Sequence, residues 1–284
     1  MWKSILLLLI AMGSIQSGAT LAKQLFPVAG AAGTSALRLF FASIILWAIW
    51  RPWKVKLSKP DLKSVAFYGI SLGLMNLLFY FALERIPLGI AVALEFTGPL
   101  AVAIFSSKRK LDYVWAITAG VGIYLLMPIE TSDSHLDVVG MIFAVGAGFF
   151  WALYILFGKK AGGNLSGTMA ASWGMAFAAL IVIPFGFASS GTALFDMSLL
   201  PVALCVGIFS SALPYTLEMF ALKNIPTQTF GVLMSLEPAI AALAGFVFLG
   251  ETLTHLQIAA IFFIMLSSFG SSLTAAKAIE LPLE

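Results

Sequence analysis

Four charged side chains, Arg38, Glu95, Glu218 and Glu237, stand inside stretches of otherwise apolar sequence. A charge in such a setting is costly and marks a functional position by default. A carboxyl kept from water is either protonated or paired with a cation. Glu95 and Glu237 are therefore suited to carrying a proton, to holding an ammonium group, or to exchanging one for the other. Arg38 suits pairing with one of these glutamates or with a carboxylate; the competing reading is an arginine that snorkels to the membrane surface.

Each glutamate has a proline beside it. Pro99 removes the helical hydrogen bond to the Glu95 carbonyl, and Pro238 the one to Met234. Pro214 adds a third kink. Ser211, Pro214, Tyr215 and Glu218 recur at three- and four-residue steps and form one polar stripe on a helix, as do Gly69, Gly73, Asn76 and Tyr80. Asn76, Tyr80, Tyr215 and Glu218 are thus candidates to contact a polar ligand. Gln16, Thr20 and Lys23 make a third stripe, with Gln16 the deepest and Lys23 reading as a basic end that snorkels. Trp151 is a candidate aromatic wall. His135 and His255 fall in predicted loops with no cysteine or carboxylate at ligand spacing, so no metal site and no cofactor is expected.

The elements that hold these residues follow from composition. The 284 residues are 61% hydrophobic and 10% charged, against roughly 45–50% and 25% in soluble domains. This is an integral membrane protein with the lipid bilayer as its solvent. Apolar windows place spans at 4–25, 34–50, 64–83, 88–106, 113–128, 138–158, 168–188, 199–222, 227–249 and 256–276. The expectation is an all-α fold of ten transmembrane helices. The single cysteine, Cys205, permits no internal disulfide.

The chain also repeats itself. Residues 76–103 align with 215–242, matching Phe81-Ala82-Leu83 with Phe220-Ala221-Leu222, Ile86-Pro87 with Ile225-Pro226, and Pro99 with Pro238. The copies differ where it matters: Met234 stands at the place of Glu95, and Glu237 at the place of Gly98. Residues 1–133 and 134–284 are read as two five-helix repeats. An odd span count inverts the second repeat, an arrangement that predicts alternating access around a central polar cavity. Most of the 16 basic residues then gather on one side, which places both termini in the cytoplasm. They are spread over separate loops, which argues against nucleic acid as a partner. Monomer and homodimer both remain open.

Intramembrane proteolysis would need paired aspartates in spans, a membrane histidine or an H-E-x-x-H motif, and the sequence holds none of these. The chain does not read as an enzyme. A channel fits the inverted repeat poorly.

Three stretches carry a more specific likeness: I-P-L-G-I-A-V-A-L-E-F-T-G-P-L-A-V-A from Ile86 to Ala103, A-L-P-Y-T-L-E-M from Ala212 to Met219, and G-V-L-M-S-L-E-P-A from Gly231 to Ala239, running on to F-L-G-E-T-L-T. In these the chain resembles the amino-acid exporters of the EamA-type family, in the drug/metabolite transporter superfamily. The resemblance implies a multi-pass protein of the bacterial inner membrane that exports small amino acids such as threonine and homoserine in exchange for protons. Glu95, Thr97, Gly98, Tyr215, Glu218, Glu237 and Pro238 occupy the matching motifs. A broader metabolite or drug exporter of the same superfamily is the alternative.

Overall fold

The structure, a computed structural model, describes residues 2–106, 111–126, 137–161, 165–222 and 233–280. All regular structure among them is helical: α1 (Trp2–Lys23), α2 (Phe26–Trp50), α3 (Lys59–Leu83), α4 (Leu88–Glu95), α5 (Thr97–Ser106), α6 (Leu111–Leu126), α7 (Val138–Ala161), α8 (Gly167–Ser190), α9 (Leu200–Gly207), α10 (Leu213–Leu222), α11 (Glu237–Leu249) and α12 (His255–Glu280). A π-helical turn, Ile208–Ala212, joins α9 to α10.

Local chemistry sets the helix ends. Ser58 caps α3 by accepting the Asp61 N–H, with Pro60 in the first turn, where a missing N–H costs nothing. Ser166 caps α8 in the same way through Met169. Asp137 accepts the N–H groups of Val139 and Gly140 at the start of α7 and pairs with Arg85 at 2.8 Å. The Arg85 guanidinium holds the Asp137 carboxyl below its ordinary range, assisted by those backbone donors. In α2 the helical path is kinked at Gly30, whose φ of 60° favours glycine.

The expectation of ten spanning helices in five-plus-five repeats is corrected here. Among the described residues, six helices are long and apolar enough to cross a membrane: Ile5–Lys23, Phe26–Trp50, Lys59–Leu83, Val138–Gly158, Gly167–Phe195 and Met197–Leu217. The other apolar helices, Leu88–Val102, Tyr113–Leu125, Glu237–Leu249 and His255–Gly270, have 10–17 residues. At about 1.5 Å per residue these apolar stretches reach roughly 15–26 Å, less than the about 30 Å hydrocarbon core, although α12 itself continues to Glu280. Two of these stretches are also interrupted beside the buried glutamates. The stretch expected to span 88–106 breaks at Phe96, between α4 and α5, and α11 begins only at Glu237, after a turn at residues 235–236. Apolar windows register composition and overlook such breaks.

The core is built around α4. Every residue from Leu88 to Glu95 is buried. Ile90, Ala91 and Leu94 pack with Ala19 and Ala22 of α1, Ala144 and Ala147 of α7, Ala241 of α11, and Ala260 and Ile264 of α12. A helix that is apolar all round belongs at the centre of a bundle. Alanine and glycine let the backbones approach, as in membrane helix packing generally: a Cβ on Gly89 would lie 2.6 Å from that of Ala242, and one on Gly73 would lie 2.9 Å from the Ala178 carbonyl oxygen. Glu95 is the last residue of this central helix.

Candidate functional site

Burial gathers polar side chains at the inner ends of α4 and α11. Gln16, Arg38, Asn76, Tyr80, Glu95 and Glu237 are all buried. The two glutamates come from opposite ends of antiparallel helices, since Gly89 meets Ala242 while Glu95 lies within electrostatic reach of Glu237, a like charge, and of Arg38, an opposite one.

One polar contact of the cluster joins α1 to α11. Gln16 donates Nε2–H to Oε1 of Glu237 at 3.2 Å, a contact spanning 221 positions of sequence. This uses one atom of each group. Oε1 of Gln16 and Oε2 of Glu237 are both buried and have no hydrogen-bond partner among the described residues. Two acceptor oxygens without a donor form an electron-rich site, and buried polar atoms are nearly always paired. What such a pair lacks is a donor that carries positive charge or a transferable proton.

Arg38 does not snorkel. Its Nε donates to Ser211 Oγ at 3.0 Å, Nη2 to the Ser210 carbonyl at 2.7 Å and Nη1 to the Tyr80 hydroxyl at 3.3 Å, with the guanidinium 5.4 Å above the Tyr80 ring. Pro214 explains this arrangement. Lacking an N–H, it cannot serve the Ser210 carbonyl at α spacing or the Phe209 carbonyl at π spacing. Arg38 serves the first, and the Ser14 hydroxyl donates to the second at 2.6 Å. The kink and its two caps thus fix the π turn against α1 and α2. Arg38 makes no ion pair with a glutamate among the described residues.

The second break is sealed differently. Pro99 leaves the Glu95 carbonyl without its helical donor, and Gly148 of α7 lies directly against that oxygen: a Cβ there would sit 2.6 Å away. A Cβ on Gly98 would collide with the Gly148 carbonyl. Here backbone meets backbone, so both glycines are needed for the close approach. Trp151 of α7 packs edge-on against Phe96, ring centroids 5.2 Å apart, and covers the break.

The other predicted residues are placed as follows. Asn76 turns back to the Leu72 carbonyl at 2.8 Å and Thr97 to that of Leu94 at 2.6 Å, bonds within their own helices or turns. Tyr215 lies half-buried one position after Pro214. The side chain of Glu218 lies outside the described residues. Pro238 is buried in the first turn of α11, where proline is tolerated. Lys23 departs from the snorkelling expectation: its Nζ donates to Oε1 of Glu251 at 2.6 Å. Sequence reasoning passed over Glu251 because it follows an apolar helix at Gly250 and so resembles a loop acid.

The sequence profile of the EamA-like transporter family matches twice, at residues 2–127 and 138–273. The threonine/homoserine exporter RhtA of Salmonella typhimurium strain LT2 is 52% identical over 276 residues, 97% of this chain and 93% of that protein. RhtA of Escherichia coli K12 is 51% identical over the same lengths. An uncharacterized transporter of Clostridium kluyveri is 27% identical over 80% of this chain and 78% of its own. A solved crystal structure covers 96% of this chain and 99% of its own with a TM-score of 0.60 at 16% identity, a likeness of fold alone. A multi-pass membrane protein with this duplicated match is a transport protein and not an enzyme: the chain belongs to the EamA-like transporter family.

Proposed function

We propose that this transporter exports small amino acids of the threonine and homoserine kind from the cytoplasm, across the bacterial inner membrane, in exchange for protons. The identity of just over half to the two RhtA exporters supports the substrate class. The observation that carries the mechanism is the pair of buried acceptors on Gln16 and Glu237 without a partner among the described residues, with Glu95 in electrostatic reach. An amino acid brings an ammonium group with three donors, enough to fill both acceptors. In its absence a proton on the glutamates relieves the like-charge repulsion between them. Ammonium and proton then compete for one site, which is the requirement for antiport.

At the other end of the substrate, Tyr80, Tyr215 and Asn76 lie on helices α3 and α10, and Arg38 holds the π turn beside them; these are the groups assigned to the substrate carboxylate and side chain. Residues 1–133 and 134–284 form the two related halves, in line with the doubled profile match. The two halves rock between openings to either side, the alternating access that a duplicated transporter uses. The connection between α2 and α3 carries Arg51, Lys54 and Lys56, with Lys59 and Lys63 following, and is assigned to the cytoplasm, which places both termini there. Lys23 and Arg85 lie at the other face, and each is paired with an acid.

A counterflow panel on purified protein in proteoliposomes tests the substrate class. Saturable exchange of homoserine and threonine, with little exchange of aromatic or cationic compounds, is expected. Broad exchange of the latter compounds would replace this reading with that of a general metabolite exporter.

A further inference from the structure

Glu251 is held by three helix ends at once. Its Oε1 accepts from Lys23 Nζ, the last residue of α1, at 2.6 Å, and its Oε2 accepts the N–H of Leu88, the first residue of α4, at 2.8 Å. Its own N–H returns to the Gly245 carbonyl of α11 at 3.1 Å across Gly250, whose φ is 66°. Gly245 admits the carboxylate, because a Cβ there would collide with Oε2. The Leu88 N–H is one of the helix-terminal donors without an intrahelical partner, and a negative charge at a helix N-terminus is favourable.

The three helices tied here also carry the polar cluster. Lys23 lies seven residues along α1 from Gln16, and Leu88 seven along α4 from Glu95, so both measures put the carboxylate roughly 10 Å from the cluster. Between the two levels Gly89 and Ala242 are in backbone contact. Towards Lys23, α4 and α11 are therefore in contact above the cluster, and Glu251 then ties α1 to both. The pair sits at the margin, with side-chain exposures of 22% and 14%. A marginal ion pair can be rehydrated when it breaks and is worth little by itself, as a reversible closure requires.

From this geometry we infer that Lys23, Glu251 and the Leu88 N–H form a latch that shuts the periplasmic side of the transport route and opens once per cycle. The assignment to the periplasmic side rests on the orientation proposed above. Breaking the pair frees α1 and α11 to part at the Lys23 end while Gln16 and Glu237 stay at their own level.

The test uses the full chain with Cys205→Ser and a reporter, Thr20→Cys, which lies between latch and cluster on the α1 stripe. A membrane-impermeant thiol reagent is applied from the Lys23 face in sealed vesicles. Slow labelling is expected with the latch intact, and labelling roughly five- to tenfold faster with Glu251→Gln. Lys23→Gln, which leaves the Leu88 contact in place, should give the same direction and serves if Glu251→Gln folds poorly. Labelling that is unchanged by both substitutions overturns the latch. In a second arm, Lys23→Cys with Glu251→Cys is joined by a short bifunctional reagent. Joining should stop homoserine exchange, and reversal should restore it; exchange that continues in the joined protein also overturns the latch. Absence of exchange in unmodified protein would defeat the export reading instead, while the labelling comparison still decides the latch.

Discussion

Exchanging Glu237 for glutamine lowers homoserine and threonine exchange by at least about 30-fold, the equivalent of the about 2 kcal/mol that marks the low end for removing one member of a buried charged pair. The substitution keeps side-chain shape and keeps an oxygen for the Gln16 Nε2–H donor. Its apparent Tm should therefore stay within a few degrees of the parent protein. That combination distinguishes the site from a structural cap. If Glu237 only satisfied Gln16 and the start of α11, the amide would preserve exchange as well as stability. Glu95→Gln should lose exchange in the same way, because Glu95, at the end of α4, lies within electrostatic reach of Glu237. The measurement is counterflow in proteoliposomes beside thermal unfolding in detergent.

The largest stability effect is expected at Gly98. Alanine there would place its Cβ on the Gly148 carbonyl, a backbone atom with no rotamer to adopt. Overpacking of this kind costs about 1–3 kcal/mol and at times more, and the α4–α5 break has no slack, since Gly148 also lies against the Glu95 carbonyl. Gly98→Ala should leave little monodisperse protein after extraction and unfold several degrees lower. Gly120→Ala is the control. Nothing lies within 4 Å of a Cβ at Gly120 in α6, so the helix gains up to about 1 kcal/mol in propensity. Equal stability of the two variants would show that α7 and the break can separate without loss.

The positions of cost were legible before any fold was known. Glu95 and Glu237 are conspicuous because a carboxylate between apolar neighbours is rare, and the prolines beside them announce broken helices. The break that Pro99 announces divides residues 88–106 into α4 and α5, and counting apolar windows as spans passed over it. Hydropathy measures composition over a window and does not register where the helical hydrogen-bonded run is interrupted.

Contacts distant in sequence were harder to read. Nothing local joins Gln16 to Glu237, or Lys23 to Glu251, which are 228 positions apart; only packing around α4 brings them together. Arg38 illustrates the intermediate case. Its burial was open to two readings, and the deciding residue was Pro214, which leaves the Ser210 carbonyl in need of a strong donor. The stripe of Ser211, Pro214 and Tyr215 was visible as a pattern, but its π turn, and hence the direction in which it faces Arg38, was not. Glu218, the fourth charge found in the sequence, has its side chain outside the described residues and keeps only its place on α10.

The central claim is that substrate ammonium and a proton exchange at the Gln16–Glu237–Glu95 cluster, and it can be measured without a gradient or a second membrane face. Homoserine is added to purified protein in weakly buffered detergent solution, with a pH indicator reading the proton balance and a parallel assay reading bound homoserine. The account predicts protons released in proportion to homoserine bound, with release abolished or strongly reduced in Glu95→Gln and Glu237→Gln. Saturable homoserine binding with no proton release by the parent protein would contradict it.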